Sequence, residues 1–215
     1  DQGIMFGYAV NETLSQMPLP LYLARSITNA HKDDRTSRPL GPDAKSQVTI
    51  RYAGSGEPIE IDTIVLSSVH VPMKYDIIQD ALREVIDHGL TDYKHLITKN
   101  TKFITNPNGP WTVGGPMADA GLTGRKIIVD TYGGAARRGG GAFSGKLSYA
   151  IGVAQPVSVH VYGMHEEEVA ELLVAYSIDL SPAGIIRQLD LRRPIYQKTA
   201  AFGHFGYDEF SWEQV

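Results

Sequence analysis

The chain has 215 residues, of which 42% are hydrophobic and 20% charged, with a formal net charge of -4. This is the composition of a globular protein with room for one large domain or two small ones, and its interspersed charges make no global field to draw it to nucleic acid or an anionic membrane. The absence of cysteine excludes disulfides, thiolate metal sites and cysteine nucleophiles, while no apolar run reaches the ~18 residues of a membrane span and no signal-peptide pattern argues for export.

From Pro20 to about Asp33, Leu23, Ile27 and Ala30 recur at helical spacing, which predicts a helix followed by a polar loop from Asp33 to Arg38. Val48, Ile50 and Tyr52 alternate with polar residues. Gly54-Ser55-Gly56 then supplies turn chemistry before Ile59, Ile61 and Val65, so this stretch reads as a β-hairpin. Asp76 stands where it would cap a helix whose Ile77, Ile78, Ala81, Leu82, Val85 and Ile86 form one apolar face ending near Gly89. Short strands are expected at Lys102 to Asn106 and Lys126 to Thr131, and further strands at Leu147 to Val153 and Val157 to Tyr162. A helix over Glu166 to Tyr176 places acidic residues at its positive end, and another follows Ser181 with Pro182 at the favoured first position. The order of hairpins and helices gives an α+β protein with helices on one side of largely antiparallel sheets.

The densest glycine stretch runs from Gly133 to Lys146. Glycines allow backbone N–H groups to converge on an anion and a terminal lysine adds a point charge, which is the logic of a phosphate cradle. The spacing and Lys-Ser/Thr ending of a Walker loop are absent, and on its residues alone the stretch is either such a cradle or a flexible glycine turn. Upstream, Gly114 to Lys126 places Asp119 and the Arg125-Lys126 pair in a second glycine-rich loop. By themselves these read as a turn residue and a solvated strand start.

Two further segments, Asp1-Gln2-Gly3-Ile4-Met5-Phe6-Gly7-Tyr8 and Pro42-Asp43-Ala44-Lys45-Ser46-Gln47-Val48, join these loops in a co-linear set. Together with Gly139 to Lys146, Gly121 to Gly134 and Ala201-Phe202-Gly203-His204-Phe205-Gly206, they resemble the S-adenosylmethionine synthetase (methionine adenosyltransferase) family over nearly the whole length. The resemblance implies repeated two-layer α/β sandwich domains in an α+β fold. A central domain would cover 1–111 and a C-terminal domain 112–215. It also implies a cytoplasmic homodimer or homotetramer with active sites between subunits, acting on ATP and L-methionine with Mg²⁺ and K⁺; the charge pattern and the lack of a long apolar run leave no nucleic-acid or membrane partner expected.

In that family the methionine sulfur attacks C5′ of ATP and expels tripolyphosphate, which is then cleaved to phosphate and pyrophosphate. By resemblance, Lys45, Arg125, Lys126 and Lys146 match polyphosphate-binding, catalytic positions. Asp1 and Asp119 lie where the methionine ammonium and the adenosine sugar are held, Asp43 and Ala44 contact the nucleotide, and Ala142 lines its pocket through backbone. Pro110-Trp111 stands where the family usually has Arg-Phe, and Trp111 is able to stack on adenine in place of the phenylalanine; its reading from the sequence alone is a core aromatic. His204 lies between aromatic residues and is read as packed rather than catalytic, and Asp130 as either a cation organiser or a loop cap.

Besides Pro110-Trp111, the chain departs from the family at its start, after Lys146 and near Tyr162-Gly163-Met164, where the family usually has a longer connection. The family's additional N-terminal domain carries a His-Pro-Asp-Lys motif with an ATP-contacting histidine and a Mg²⁺-binding aspartate, followed by acidic K⁺- and methionine-binding residues, and that motif is not in this sequence; the metal ligands are therefore unknown. After its glycine-rich signature the family continues through Lys-x-Asp-Arg-Ser and a helix, whereas here Lys146 directly precedes Leu147-Ser148-Tyr149. Removing a whole helix from a packed layer would expose core surface, so the complete chain is expected to contain these segments. The alternative is a catalytically inactive relative that serves as a binding or assembly subunit.

Overall fold

The computed structural model describes residues 7–122, 124–136, 179 and 181–214. The strands expected at Leu147 to Val153 and Val157 to Tyr162, and the helix at Glu166 to Tyr176, lie outside the described residues.

The first predicted helix is α1, Leu19–Asp34. Pro20 falls in its first turn, where a missing N–H leaves nothing unpaired. Glu12 substitutes for an N-cap side chain: its carboxylate accepts from the Leu19 N–H at 2.8 Å and from the Tyr52 hydroxyl at 3.0 Å. The expected hairpin is β1 (Leu40–Tyr52) paired antiparallel with β2 (Pro58–His70), closed by a turn in which Gly56 takes φ +89°. Along β1, Val48 is buried and the Ser46 hydroxyl donates to the Ala24 carbonyl of α1, while Lys45, Gln47 and Thr49 are exposed on the other face. In β2 the register runs from Ile50↔Ile61 to Thr49↔Thr63, so Asp62 is an extra residue. One inserted residue changes which parity faces the core. The buried series accordingly passes from Ile61 to Ile64 and Leu66, and Val65 turns to the opposite face.

Helix α2, Tyr75–Gly89, crosses over to β3, Lys102–Thr105, which pairs parallel with β2 in the sheet order β1-β2-β3. The sheet is largely antiparallel as expected but mixed, because a helical connection brings the short β3 back in the direction of β2. The core lies between this sheet and the two helices. Leu19, Leu23 and Ile27 of α1 and Ile78, Leu82, Val85 and Ile86 of α2 meet Val48, Ile61, Ile64 and Leu66. No helix among the described residues is long and apolar enough to cross a membrane.

Three expectations are corrected. Asp76 does not cap α2: Lys74 holds the N-cap position, and Asp76, in the first turn, accepts from the Ile77 N–H at 2.9 Å. Ile77 is 44% exposed, one helical step off the face carried by Ile78 and Leu82. The strand expected at Lys126 to Thr131 is instead a single helical turn, α3, Ile127–Asp130. Its β-branched composition favours a strand, but no strand among the described residues pairs with it. Local bonds close the turn, with Asp130 N–H to the Lys126 carbonyl at 2.8 Å and the Thr131 hydroxyl to the Ile127 carbonyl at 2.8 Å. The helix expected after Ser181 is present at Pro182–Gln188, with the Ser181 hydroxyl accepting from the Gly184 N–H.

Two positions in this core give measurable outcomes. A Cβ on Gly89 would lie 2.7 Å from the Ile27 Cα, so the contact of α2 with α1 has no room for a side chain and only backbone to displace. Gly89→Ala is expected to lower stability by about 1–3 kcal/mol, read from the urea midpoint. His31 is 2% exposed, with Nε2 2.7 Å from the Ser68 hydroxyl. Burial pushes its pKa below the usual 6.5; Arg35 adds to this and Asp34 opposes it. Below pH 6.5 the unfolded chain therefore takes up a proton that the folded chain refuses, and stability falls as the pH drops from there towards the depressed folded pKa. His31→Gln is expected to flatten this part of the acid-side slope in denaturation curves measured between neutral and acid pH.

Candidate functional site

The register of the hairpin changes at its open end, where Leu40↔His70 is followed by Ala44↔Ser68. Four residues on β1 thus advance against two on β2, and Gly41 to Asp43 bulge out of the ladder. A Cβ on Gly41 would come 2.8 Å from Val69 Cγ1, so glycine lets the bulge lie flat on β2. Asp43, freed from the ladder, turns its carboxylate to the segment after β3, where Oδ2 accepts from the Gly115 N–H. Gly114 packs equally closely, since a Cβ there would lie 2.5 Å from Val69 Cγ2 and 2.8 Å from Asp43 Oδ2. Asp43, the predicted nucleotide contact, is therefore also the anchor of the glycine loop.

Lys45 follows on the exposed face of β1, and its ammonium lies 5.6 Å from the centroid of the Trp111 ring, within cation–π reach. Trp111 is half-buried and donates its indole N–H to the Val113 carbonyl at 2.7 Å. Its backbone is held on both sides by His70: the His70 N–H donates to the Trp111 carbonyl at 2.9 Å, and the Trp111 N–H donates to His70 Nε2 at 3.0 Å. Buried Asn106 prepares this pairing. Its side-chain amide spans the Ser68 backbone, accepting from the N–H at 2.8 Å and donating to the carbonyl at 3.1 Å, which extends the β2 edge beyond the end of β3. The structure thus brings Asp43, Ala44, Lys45 and Trp111 to one end of the hairpin.

Asp119, Arg125 and Lys126 are exposed on the following loop, and among the described residues no side-chain bond or ring contact joins them to Lys45, Asp43 or Trp111. Asp1, Ala142 and Lys146 lie outside the described residues. Lys126 is the N-cap residue of α3, and α3 is docked from behind by Arg25 of α1. Arg25 is 8% exposed. It donates to the carbonyls of Val129 at 3.2 Å, Asp130 at 3.4 Å, Thr131 at 3.1 Å and Phe205 at 2.9 Å. Burial lowers the guanidinium pKa, and the Tyr207 and Asp130 side chains oppose that shift. His204 is buried, with Nδ1 on the Thr199 carbonyl at 3.0 Å and Nε2 3.8 Å from Asp130, in keeping with its reading as a packed residue.

Arg25, His70 and Asn106 were not singled out from the sequence. Each acts on backbone N–H and carbonyl groups, which every residue carries, so no pattern of residue types announces the contact. Among the described residues no three His, Asp or Glu side chains gather to hold a metal ion.

Arg25→Met keeps length and volume but leaves four carbonyls without their charged donor. Hydrogen exchange is expected to accelerate in residues 127–136 and 199–207, while amides of β1, β2 and α2 keep their protection. Uniform acceleration across the chain would contradict this local docking role.

Comparison with protein-family models matches residues 1–111 to the central domain of S-adenosylmethionine synthetase. Residues 113–147 and 146–214 match its C-terminal domain in two pieces that overlap at Lys146-Leu147, directly after the glycine-rich signature. Helices packed on a mixed three-stranded sheet agree with the α+β class of those domains. On matches that take in nearly all of its length, the chain belongs to the S-adenosylmethionine synthetase family.

Proposed function

We propose that the protein is a methionine adenosyltransferase, forming S-adenosylmethionine from ATP and L-methionine and cleaving the tripolyphosphate to phosphate and pyrophosphate. The observation that carries this reading is the Lys45 ammonium set against the Trp111 ring at the open end of the hairpin, in a chain of this family. An aromatic surface suits a purine and the neighbouring cation suits the phosphates attached to it. The matched ranges support a division into a central domain, 1–111, and a C-terminal domain, 112–215.

In the proposed reaction the sulfur lone pair forms the S–C5′ bond while the C5′–O bond breaks, and the electron pair leaves on the tripolyphosphate. A sulfide gives up no proton in becoming a sulfonium, so no general base is required. Negative charge grows on the leaving group, and fixed cations stabilise it more in the transition state than in the ground state. Lys45, Arg125, Lys126 and Lys146 are assigned that role. Asp1 and Asp119 are assigned to the methionine ammonium and the ribose, where orientation is the principal gain. Asp43, Ala44 and Ala142 are assigned to the nucleotide, and Trp111 to stacking on the base. Family membership supports ATP and methionine as substrates, a homo-oligomer in the cytoplasm, and dependence on Mg²⁺ and K⁺.

The test is a coupled assay of the full-length protein with ATP, methionine, Mg²⁺ and K⁺, alongside its Lys45→Ala variant. S-adenosylmethionine is expected from the first, and a kcat loss on the order of 10²-fold with a smaller change in KM from the second. No product from the full-length protein would refute the enzyme and favour the inactive binding or assembly subunit. Full turnover by Lys45→Ala would remove Lys45 from the site.

A further inference from the structure

The contacts around His70 determine its tautomer without reference to any observed hydrogen. The Trp111 backbone N–H can only donate, so Nε2, 3.0 Å away, is the acceptor. The Val71 carbonyl can only accept, so Nδ1, 2.8 Å away, carries the proton. His70 is 3% exposed and its ring leans on Tyr75, with centroids 6.4 Å apart. Tyr75 is itself fixed by its hydroxyl on the Asn106 carbonyl at 2.7 Å. The imidazole thus takes the place of the backbone carbonyl that would ordinarily receive the Trp111 N–H in a continued strand pairing. With the reciprocal bond from the His70 N–H to the Trp111 carbonyl, it fixes both polar groups of one residue. That grip sets where the Trp111 backbone sits, and the indole N–H on the Val113 carbonyl at 2.7 Å completes the placement of the ring 5.6 Å from the Lys45 ammonium.

We propose that His70 is a positioning residue for nucleotide binding: through Nε2 it holds the Trp111 backbone so that the indole lies beside Lys45 at the place of the base. The inference rests on the nucleotide-site reading given above. His70 touches neither substrate nor reacting atoms. Its effect is to remove the freedom of a side chain that would otherwise have to be ordered each time the base binds. Besides the indole N–H on the Val113 carbonyl, which moves with Trp111 itself, the next anchor of the adjoining loop is Asp43 on Gly115.

The test uses the full-length protein in a Trp212→Phe background, which leaves Trp111 as the indole of this part of the chain, and three variants of His70. Glutamine places its terminal group near Nε2 and is able to accept from the Trp111 N–H; asparagine reaches only the Nδ1 position; leucine does neither. The first readout is acrylamide quenching of Trp111 without nucleotide, which is independent of any activity. It is expected to rise in His70→Leu and His70→Asn and to stay near the parent value in His70→Gln. The second is the Kd and KM for ATP. A loss of about tenfold is expected for His70→Leu and His70→Asn, with kcat changing less than KM, and recovery to within about threefold for His70→Gln. If all three variants lose thermal stability together while quenching and ATP affinity stay at parent values, His70 is only structural and the proposal is overturned. Failure of the parent to bind ATP would instead sink the nucleotide-site reading, and the quenching series would still decide whether His70 holds Trp111. Should His70→Leu fail to fold, the contrast between glutamine and asparagine decides both points.

Discussion

The docking of the later segments onto α1 depends on one buried cation. Arg25 points from α1 away from the sheet and spreads its guanidinium over the carbonyls of Val129, Asp130, Thr131 and Phe205. A buried arginine is costly unless its hydrogen-bonding capacity is used. Here the compensation comes from backbone groups that belong to two segments far apart in sequence, together with the Tyr207 ring 5.9 Å from the guanidinium carbon. The same cation explains Gly203, whose φ is +97° and whose missing Cβ leaves the space that Arg25 Nη2 occupies. Nε finds no partner among the described residues, so the clamp is close to saturated but not complete.

Because of that clamp, α1 is buried on two sides. Leu19, Leu23 and Ile27 face the sheet and α2, as an amphipathic helix requires. The opposite side meets the later segments: Leu21 lies under Gly133, Arg25 on the carbonyls, and the Lys32 ammonium 5.5 Å from the Phe202 ring centroid. Tyr132 and Phe205 stack beside it with ring centroids 5.1 Å apart and planes nearly parallel. A helix so enclosed serves as a common wall. It fixes the hairpin that carries Asp43 and Lys45 on one side, and on the other the turn that begins at Lys126.

The two halves of the candidate site are secured by the same kind of bond. Asp43 reaches the N–H of Gly115, His70 brackets the peptide groups of Trp111, Asn106 imitates a strand residue along Ser68, and Arg25 gathers carbonyls. In each case a side chain holds backbone groups of a segment distant in sequence. Loops can then carry Trp111 and Arg125, and the start of α3 Lys126, with side chains exposed or half-buried. The glycines at 41 and 114 serve the same end, since both lie against Val69 where a side chain would force the loop outward.

The sequence by itself determined the local elements and the family. Helical spacing in α1, alternation in β1 with its glycine turn, and Ser181-Pro182 before the late helix are short-range signals, legible because neighbours in sequence decide them. The co-linear signatures around Asp43, Arg125 and Lys146 carried the family through residue identity. Only the tertiary structure decided the rest. The parallel pairing of β3 follows from a crossover, the change of face in β2 from one bulged residue, and the helical turn at Ile127–Asp130 from the want of a strand partner among the described residues. The holding roles of Arg25, His70 and Asn106 are likewise tertiary, because their partners are peptide groups common to every residue and acquire an address only when the chain has folded.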